Sequence, residues 1–289
     1  MSDTIRACLW MIGAIVSFTS MAVAGRAISY DLDTFEIMMY RSLIGVLIVV
    51  VVSSLARTRH QITGRSLGTH LVRNLSHFAG QNLWFYSITV IPLAQVFALE
   101  FTSPLWVMVL SPLILGERLT RTRGIAAVFG FIGILIVTRP SPETFHIGLV
   151  TAALAAIGFA GSAVFTRKLT RTETITCILF YLTVMQAVFG VICAGIDGDI
   201  AWPATASWPW ITLIACAGLV AHFCLTTALG IAPATVVMPI DFVRLPVIAI
   251  VGVLVYAEAL DPLVLLGAAI IFGANYYNIW HETHPVTKT

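Results

Sequence analysis

Ten stretches of about twenty mostly apolar residues run through this chain, and that is the length an α-helix needs to cross the hydrocarbon of a bilayer. They fall at 7–28, 34–56, 71–91, 93–115, 122–138, 146–167, 173–195, 208–229, 234–256 and 262–281. In lipid the backbone N–H and C=O groups must pair inside the protein, which a helix achieves within a single segment. The rest of the composition agrees. Of 289 residues 58% are hydrophobic and 10% charged, with a mean hydropathy of +0.94, whereas a soluble domain carries about 25% charged residues. The sequence therefore predicts an all-α membrane protein of ten transmembrane helices with the lipid bilayer as its first partner. A net charge of +2 gives no footprint for nucleic acid. The five cysteines, Cys8, Cys177, Cys193, Cys216 and Cys224, lie in apolar segments without metal-ligand spacing and read as small buried hydrophobes, with no metal and no cofactor expected.

Loop charges orient the helices. On one side lie Arg6, then Arg57, Arg59, Arg65 and Arg73, then Arg118, Arg121 and Arg123, then Arg167, Lys168 and Arg171, and last Lys288. That is 12 of the 16 basic residues, against Arg26 and Arg139 on the other side. Such a bias places both termini in the cytoplasm of a bacterial-type inner membrane. Trp202, Trp208 and Trp210 cluster in an outer loop, as an interfacial belt does.

A shift of 141 residues superimposes unusual positions without a gap. Phe18 meets Phe159, Arg26 meets Arg167, Tyr40 meets Tyr181, Pro92 meets Pro233, Glu100 meets Asp241, Phe101 meets Phe242 and Glu117 meets Glu258. The chain therefore divides into two repeats, 1–140 and 141–289, of five spans each. An odd number of spans inserts the second repeat upside down relative to the first, as in many secondary transporters. The first apolar run ends at Ala22-Val23-Ala24 and could pass for a cleavable signal, but it has a counterpart in the second repeat, so it is read as a retained helix.

The five-plus-five repeat occurs together with a signature running from Pro104 through Gly116-Glu117-Arg118-Leu119 to Gly124, Gly130 and Gly133. It is echoed by Pro246, Ala257-Glu258-Ala259-Leu260, Gly267 and Gly273. In these features the chain resembles the drug/metabolite transporter superfamily, in its EamA-like ten-helix branch, over residues 7–280. Arg41 fits the family pattern, whereas its repeat mate Leu182 departs from it. The chain is further similar to bacterial amino-acid exporters, in particular those of aromatic amino acids. The resemblance implies a secondary transporter that exports small amphipathic metabolites by alternating access, with aromatic amino acids preferred. A broad-specificity drug exporter and a non-transporting membrane assembly subunit are the alternatives.

A charge inside hydrocarbon faces a partner or a water-filled cavity, and four stand out: Arg41, Glu100, Asp241 and Arg244. Arg41 and Glu100 each lie seven residues from the outer end of their span, about 10 Å deep, and are expected to pair. Asp241 and Arg244, three residues apart, share a helical face, which gives one charge pair per half. Arg41 and Arg244 are read as structural or gating members of these pairs. Phe101 and Phe242 put aromatic surface beside the acids. Pro104 and Pro246 interrupt their helices at corresponding places, a pointer to a transport site. The third span carries a polar stripe, with His77, Phe78, Gln81 and Asn82 facing inward, and Ser162 leaves room on the sixth span. These residues are the candidate path, and the fifth and tenth spans are expected at the periphery or on a homo-oligomer surface. Enzyme readings fail: His281-Glu282-Thr283-His284 is one residue short of a zinc-binding HExxH, and no Walker A loop occurs, so ATP is not the direct energy source.

Overall fold

The computed structural model describes residues 3–29, 31–116, 121–139, 146–196, 198–259 and 261–283. Glu117, Arg118, Leu119, Leu260 and Lys288 fall outside these, and with them part of both copies of the signature. Among the described residues the chain is all helical, with no strand: α1 (Asp3–Ile28), α2 (Thr34–Leu55), α3 (Leu67–Val90), α4 (Leu93–Glu100), α5 (Ser103–Leu115), α6 (Arg121–Thr138), α7 (Ile147–Leu169), α8 (Ile175–Ala194), α9 (Trp208–Ile231), α10 (Ala234–Val237), α11 (Arg244–Tyr256) and α12 (Pro262–Thr283). A 3-10 turn over Met238–Val243 joins α10 to α11.

Local chemistry sets the ends. Asp33 accepts from the Glu36 backbone N–H while the Glu36 carboxylate accepts from that of Asp33, a capping box that starts α2. Thr174 caps α8. Pro92 and Pro233 stand immediately before α4 and α10. Gly116, at φ 73°, ends α5 in the left-handed region that its missing Cβ permits.

Six helical stretches among the described residues are long and apolar enough to cross a membrane: 5–28, 34–55, 93–115, 147–169, 175–194 and 208–231. Shorter apolar stretches lie in α6, α11 and α12. The packing places polarity inside. Arg41, Arg73, Asn74, His77, Gln81, Gln186, His222 and Arg244 are buried, while Leu47, Leu55, Leu113, Ile192 and Leu254 face outward. A soluble fold does the reverse, so this is a multi-pass membrane protein. Arg73 therefore does not belong among the loop charges: it sits inside α3, 2% exposed.

Helices pack chiefly as α1 with α9, α3 with α7, α2 with α8 and α6 with α12. Close approach needs small residues. A Cβ on Gly133 would lie 2.8 Å from the Gly267 carbonyl oxygen, and one on Gly267 2.8 Å from that of Gly133, so these glycines join α6 to α12. Gly158 meets α3 at Gly80 in the same way.

Candidate functional site

α4 stops at Glu100, and α5 begins three residues later. Pro104 lies in the first turn of α5, where its missing N–H costs little. The interruption expected as a proline kink is thus a break at Phe101–Thr102, one turn ahead of the proline. The second half breaks at its matching position, the 3-10 turn containing Asp241. Pro246 falls in the first turn of α11, and the side chains of Phe242 and Pro246 lie outside the described residues.

At these two breaks the charges meet. Arg244 donates to Glu100 Oε1 at 2.6 Å and to Asp241 Oδ2. Glu100 Oε2 accepts from the Trp84 indole at 2.6 Å. The guanidinium lies over Phe18, Phe97 and Phe101, with centroids 5.1, 4.8 and 5.8 Å away. The expected pairing of Arg41 with Glu100 does not occur, nor is there one pair per half. α11 packs against α4, which brings Arg244 across to Glu100 and leaves both acids on one cation.

This cluster forms one wall of a cavity inside the helix bundle. Of the sequence candidates, His77, Gln81, Glu100, Phe101, Pro104, Ser162, Asp241 and Arg244 line it. Phe78 and Asn82 do not. Phe78 packs on Phe35 and Phe189, with ring centroids 6.3 and 5.6 Å away, and Asn82 turns back to the Phe78 carbonyl at 2.8 Å. Arg41 lines a separate, smaller cavity. His222 lines both cavities and meets His77 edge-on, with ring centroids 4.6 Å apart.

Sequence reasoning passed over Arg73, Trp84 and Thr166, all of which line the larger cavity. Arg73 donates to Thr166 Oγ1 at 3.1 Å and to Asn74 Oδ1 at 2.8 Å. The signal was available: Arg73, His77, Gln81 and Trp84 follow one another at spacings of four, four and three, a single helical face.

Six buried polar atoms of residues lining this cavity have no hydrogen-bond partner among the described residues: His77 Nε2, Gln81 Nε2, both ring nitrogens of His222, Asp241 Oδ1 and Arg244 Nε. Elsewhere the described residues offer one group of metal-ligand type, His70, Glu173 and Cys177, with ligand atoms within 4.8 Å. Glu173 accepts there from the Ser66 and Thr63 hydroxyls at 2.7 and 2.9 Å, which makes the group a hydrogen-bonded anchor for the 59–66 loop.

An apolar outer surface around an interior cavity with charged and aromatic walls defines a membrane protein built to hold a small solute. The sequence profile of the EamA-like transporter family matches twice, at residues 5–139 and 146–279. The chain belongs to the EamA-like transporter family and is a membrane transporter. It is 33% identical to a riboflavin transporter of Brucella anthropi, over 73% of this chain and 75% of the relative. It is 25% identical to an S-adenosylmethionine uptake transporter of Rickettsia bellii over 96% and 95% of the two chains, and 27% identical to the pseudopaline exporter CntI of Pseudomonas aeruginosa over 89% and 90%. A crystal structure at 18% identity superposes with a TM-score of 0.67 over 94% of this chain and 96% of the other, a likeness of fold alone.

Proposed function

We propose that this protein is a secondary transporter of the bacterial inner membrane, and that its solute joins an aromatic or heteroaromatic body to several polar groups. The single observation that carries this reading is the set of six unpartnered polar atoms on one cavity walled by Phe18, Trp84, Phe101 and Phe159. A buried polar atom without a partner is costly, whereas an apolar pocket with a few placed polar groups suits a small amphipathic ligand. Riboflavin, S-adenosylmethionine and the aromatic amino acids expected from the sequence all belong to this chemical class. The first two are what relatives are named for, and relatives include both uptake and export proteins. A cationic drug suits the cavity less well, because Arg244 already neutralises much of the acid charge and Arg73 adds a cation of its own.

In this reading the chain has ten spans in two inverted repeats, 1–140 and 141–289, with both termini in the cytoplasm. Support comes from the helix pairing, which is unchanged when each element is exchanged for its counterpart 141 residues on. That exchange turns α1·α9 into α7·α3 and maps α2·α8 and α6·α12 onto themselves. Counterflow in vesicles of purified protein with labelled riboflavin, S-adenosylmethionine, tryptophan and phenylalanine tests the function. Flux of at least one is expected. Flux of none of the four, in protein that remains folded, rejects the proposed solute class.

A further inference from the structure

Three arginines are buried inside helices of the described structure, and they differ in what compensates them. Arg244 has two carboxylates. Arg73 has a hydroxyl and an amide oxygen. Arg41 is 6% exposed, lies about 10 Å along α2 from its N-terminal end at 1.5 Å per residue, and directs Nη1 at the Met21 sulfur, 3.5 Å away. Among the described residues it forms no ion pair. A guanidinium stays charged in any protein environment, and a charge at membrane depth requires a counter-charge or a polar cavity.

Arg41 opens onto the smaller cavity, a narrow space which it shares with Thr183, Gly218 and His222. Among the described residues, His222 has no hydrogen-bond partner on either ring nitrogen. It also lines the larger cavity, so the two spaces adjoin at this side chain. The small cavity thus presents a fixed cation and an imidazole N–H, beside the unpartnered Gln186 Oε1, with no carboxylate among its described lining residues. Such a donor set suits anionic oxygens, for which the planar Arg fork has matching geometry.

We infer that Arg41 and His222 form an anion subsite, which receives a carboxylate or phosphate group of the transported solute while the body of that solute occupies the larger cavity. The inference rests on the reading of the larger cavity as the solute site. It narrows the solute class from polar aromatic metabolites to those carrying an anionic group.

The test is isothermal titration of the full chain in lipid nanodiscs with phenyl phosphate, benzoate, uncharged benzamide and inorganic phosphate alone. Phenyl phosphate and benzoate should bind at least about tenfold more tightly than benzamide. Arg41→Gln should abolish that preference, and Arg41→Lys should keep part of it, because the charge remains and the fork is lost. Gly218→Ala offers a variant that retains the charge. Its new Cβ would sit 3.5 Å from Arg41 Nη1 and 3.6 Å from Met21 Sδ, ordinary contact that narrows the subsite. It should weaken the two aromatic anions and spare benzamide. An unchanged preference in both Arg41→Gln and Gly218→Ala, or wild-type binding of the anions no tighter than benzamide, overturns the subsite. Binding of inorganic phosphate without binding of either aromatic anion overturns its assignment to the solute. Since the readout is binding, failure of transport in vesicles would count against the proposed solute class and leave the subsite result standing.

Discussion

Arg244 is the residue on which the interior turns. Among the described residues it is the one cation paired with both Glu100 and Asp241, and its side chain is 2% exposed. Removing one partner of a buried ion pair leaves the other charged and uncompensated, at a cost of about 3–5 kcal/mol. Arg244→Gln should therefore lower the thermal unfolding midpoint in detergent far more than Glu100→Gln, which leaves Asp241 with its partner. Equal effects would mean that the cluster is not organised around the arginine. Glu173, in the turn between α7 and α8, gives a pH prediction. Burial alone would raise its carboxyl, but hydrogen bonds from Ser66 and Thr63, with Arg65 nearby, hold it below the ordinary carboxylate range. A carboxyl depressed in the folded state contributes stability above its unfolded value of about 4 and loses it as pH falls through the lower folded value. The difference in unfolding midpoint between wild type and Glu173→Gln should be constant from about pH 8 to pH 6 and shrink below about pH 4.

At the scale of elements, the broken helices α4/α5 and α10/α11 set the site. Each break falls at an acidic residue facing the cavity, and each is followed within one turn by a proline that cannot donate to the carbonyl four residues back. Restoring that donor should let α4 run into α5 and remove the break that sets Glu100 beside Arg244. Pro104→Ala should fold normally yet slow solute flux by about tenfold, a little over 1 kcal/mol on the barrier. Paired vesicle rates and unfolding midpoints check this, and an unchanged rate would show that the break does not depend on Pro104. The expectation for α6 and α12 divides. Their Gly133 and Gly267 are used for packing on each other, so these positions do not face a second copy of the chain, while Phe272, Tyr276 and Trp280 on α12 remain exposed.

For the whole molecule, one end of the bundle is closed by a clamp. Arg26, in the last turn of α1, pairs with Glu258 and donates to the Ile91 carbonyl at 3.2 Å. Glu258 in turn accepts from the Leu93 N–H at 3.2 and 3.0 Å, which caps α4. Arg26 also lies over the Tyr256 ring at 4.9 Å. The larger cavity extends the other way, towards Met11, Thr166, Leu225 and Met238. Alternating access requires the closed end to open, and Glu258→Gln removes the charge that holds it. In a background without the five native cysteines, Ser162→Cys should react faster with a membrane-impermeant thiol reagent applied at the Arg26 face when Glu258→Gln is present. An unchanged rate would remove the clamp from the gate.

The sequence alone determined the class of this molecule, because twenty-residue apolar runs in lipid leave the helix as the structure that pairs its own backbone. It also marked the polar face of α3, the matched acids Glu100 and Asp241 with the prolines beside them, and Arg41 as a charge at depth, since periodicity and the cost of burying charge are visible in a linear pattern. Which charges met was decided by tertiary structure. Depth counted along a straight helix joined Arg41 to Glu100, but α4 ends at Glu100 and α11 packs against it, so Arg244 arrived first and Arg41 kept a thioether for company. Arg73 read as a loop charge because a boundary error of a few residues is a full helical turn. Phe78 and Asn82 lay on the right stretch of α3 but turned to its neighbours, since a face of one helix is divided among partners by packing angles that no single segment encodes.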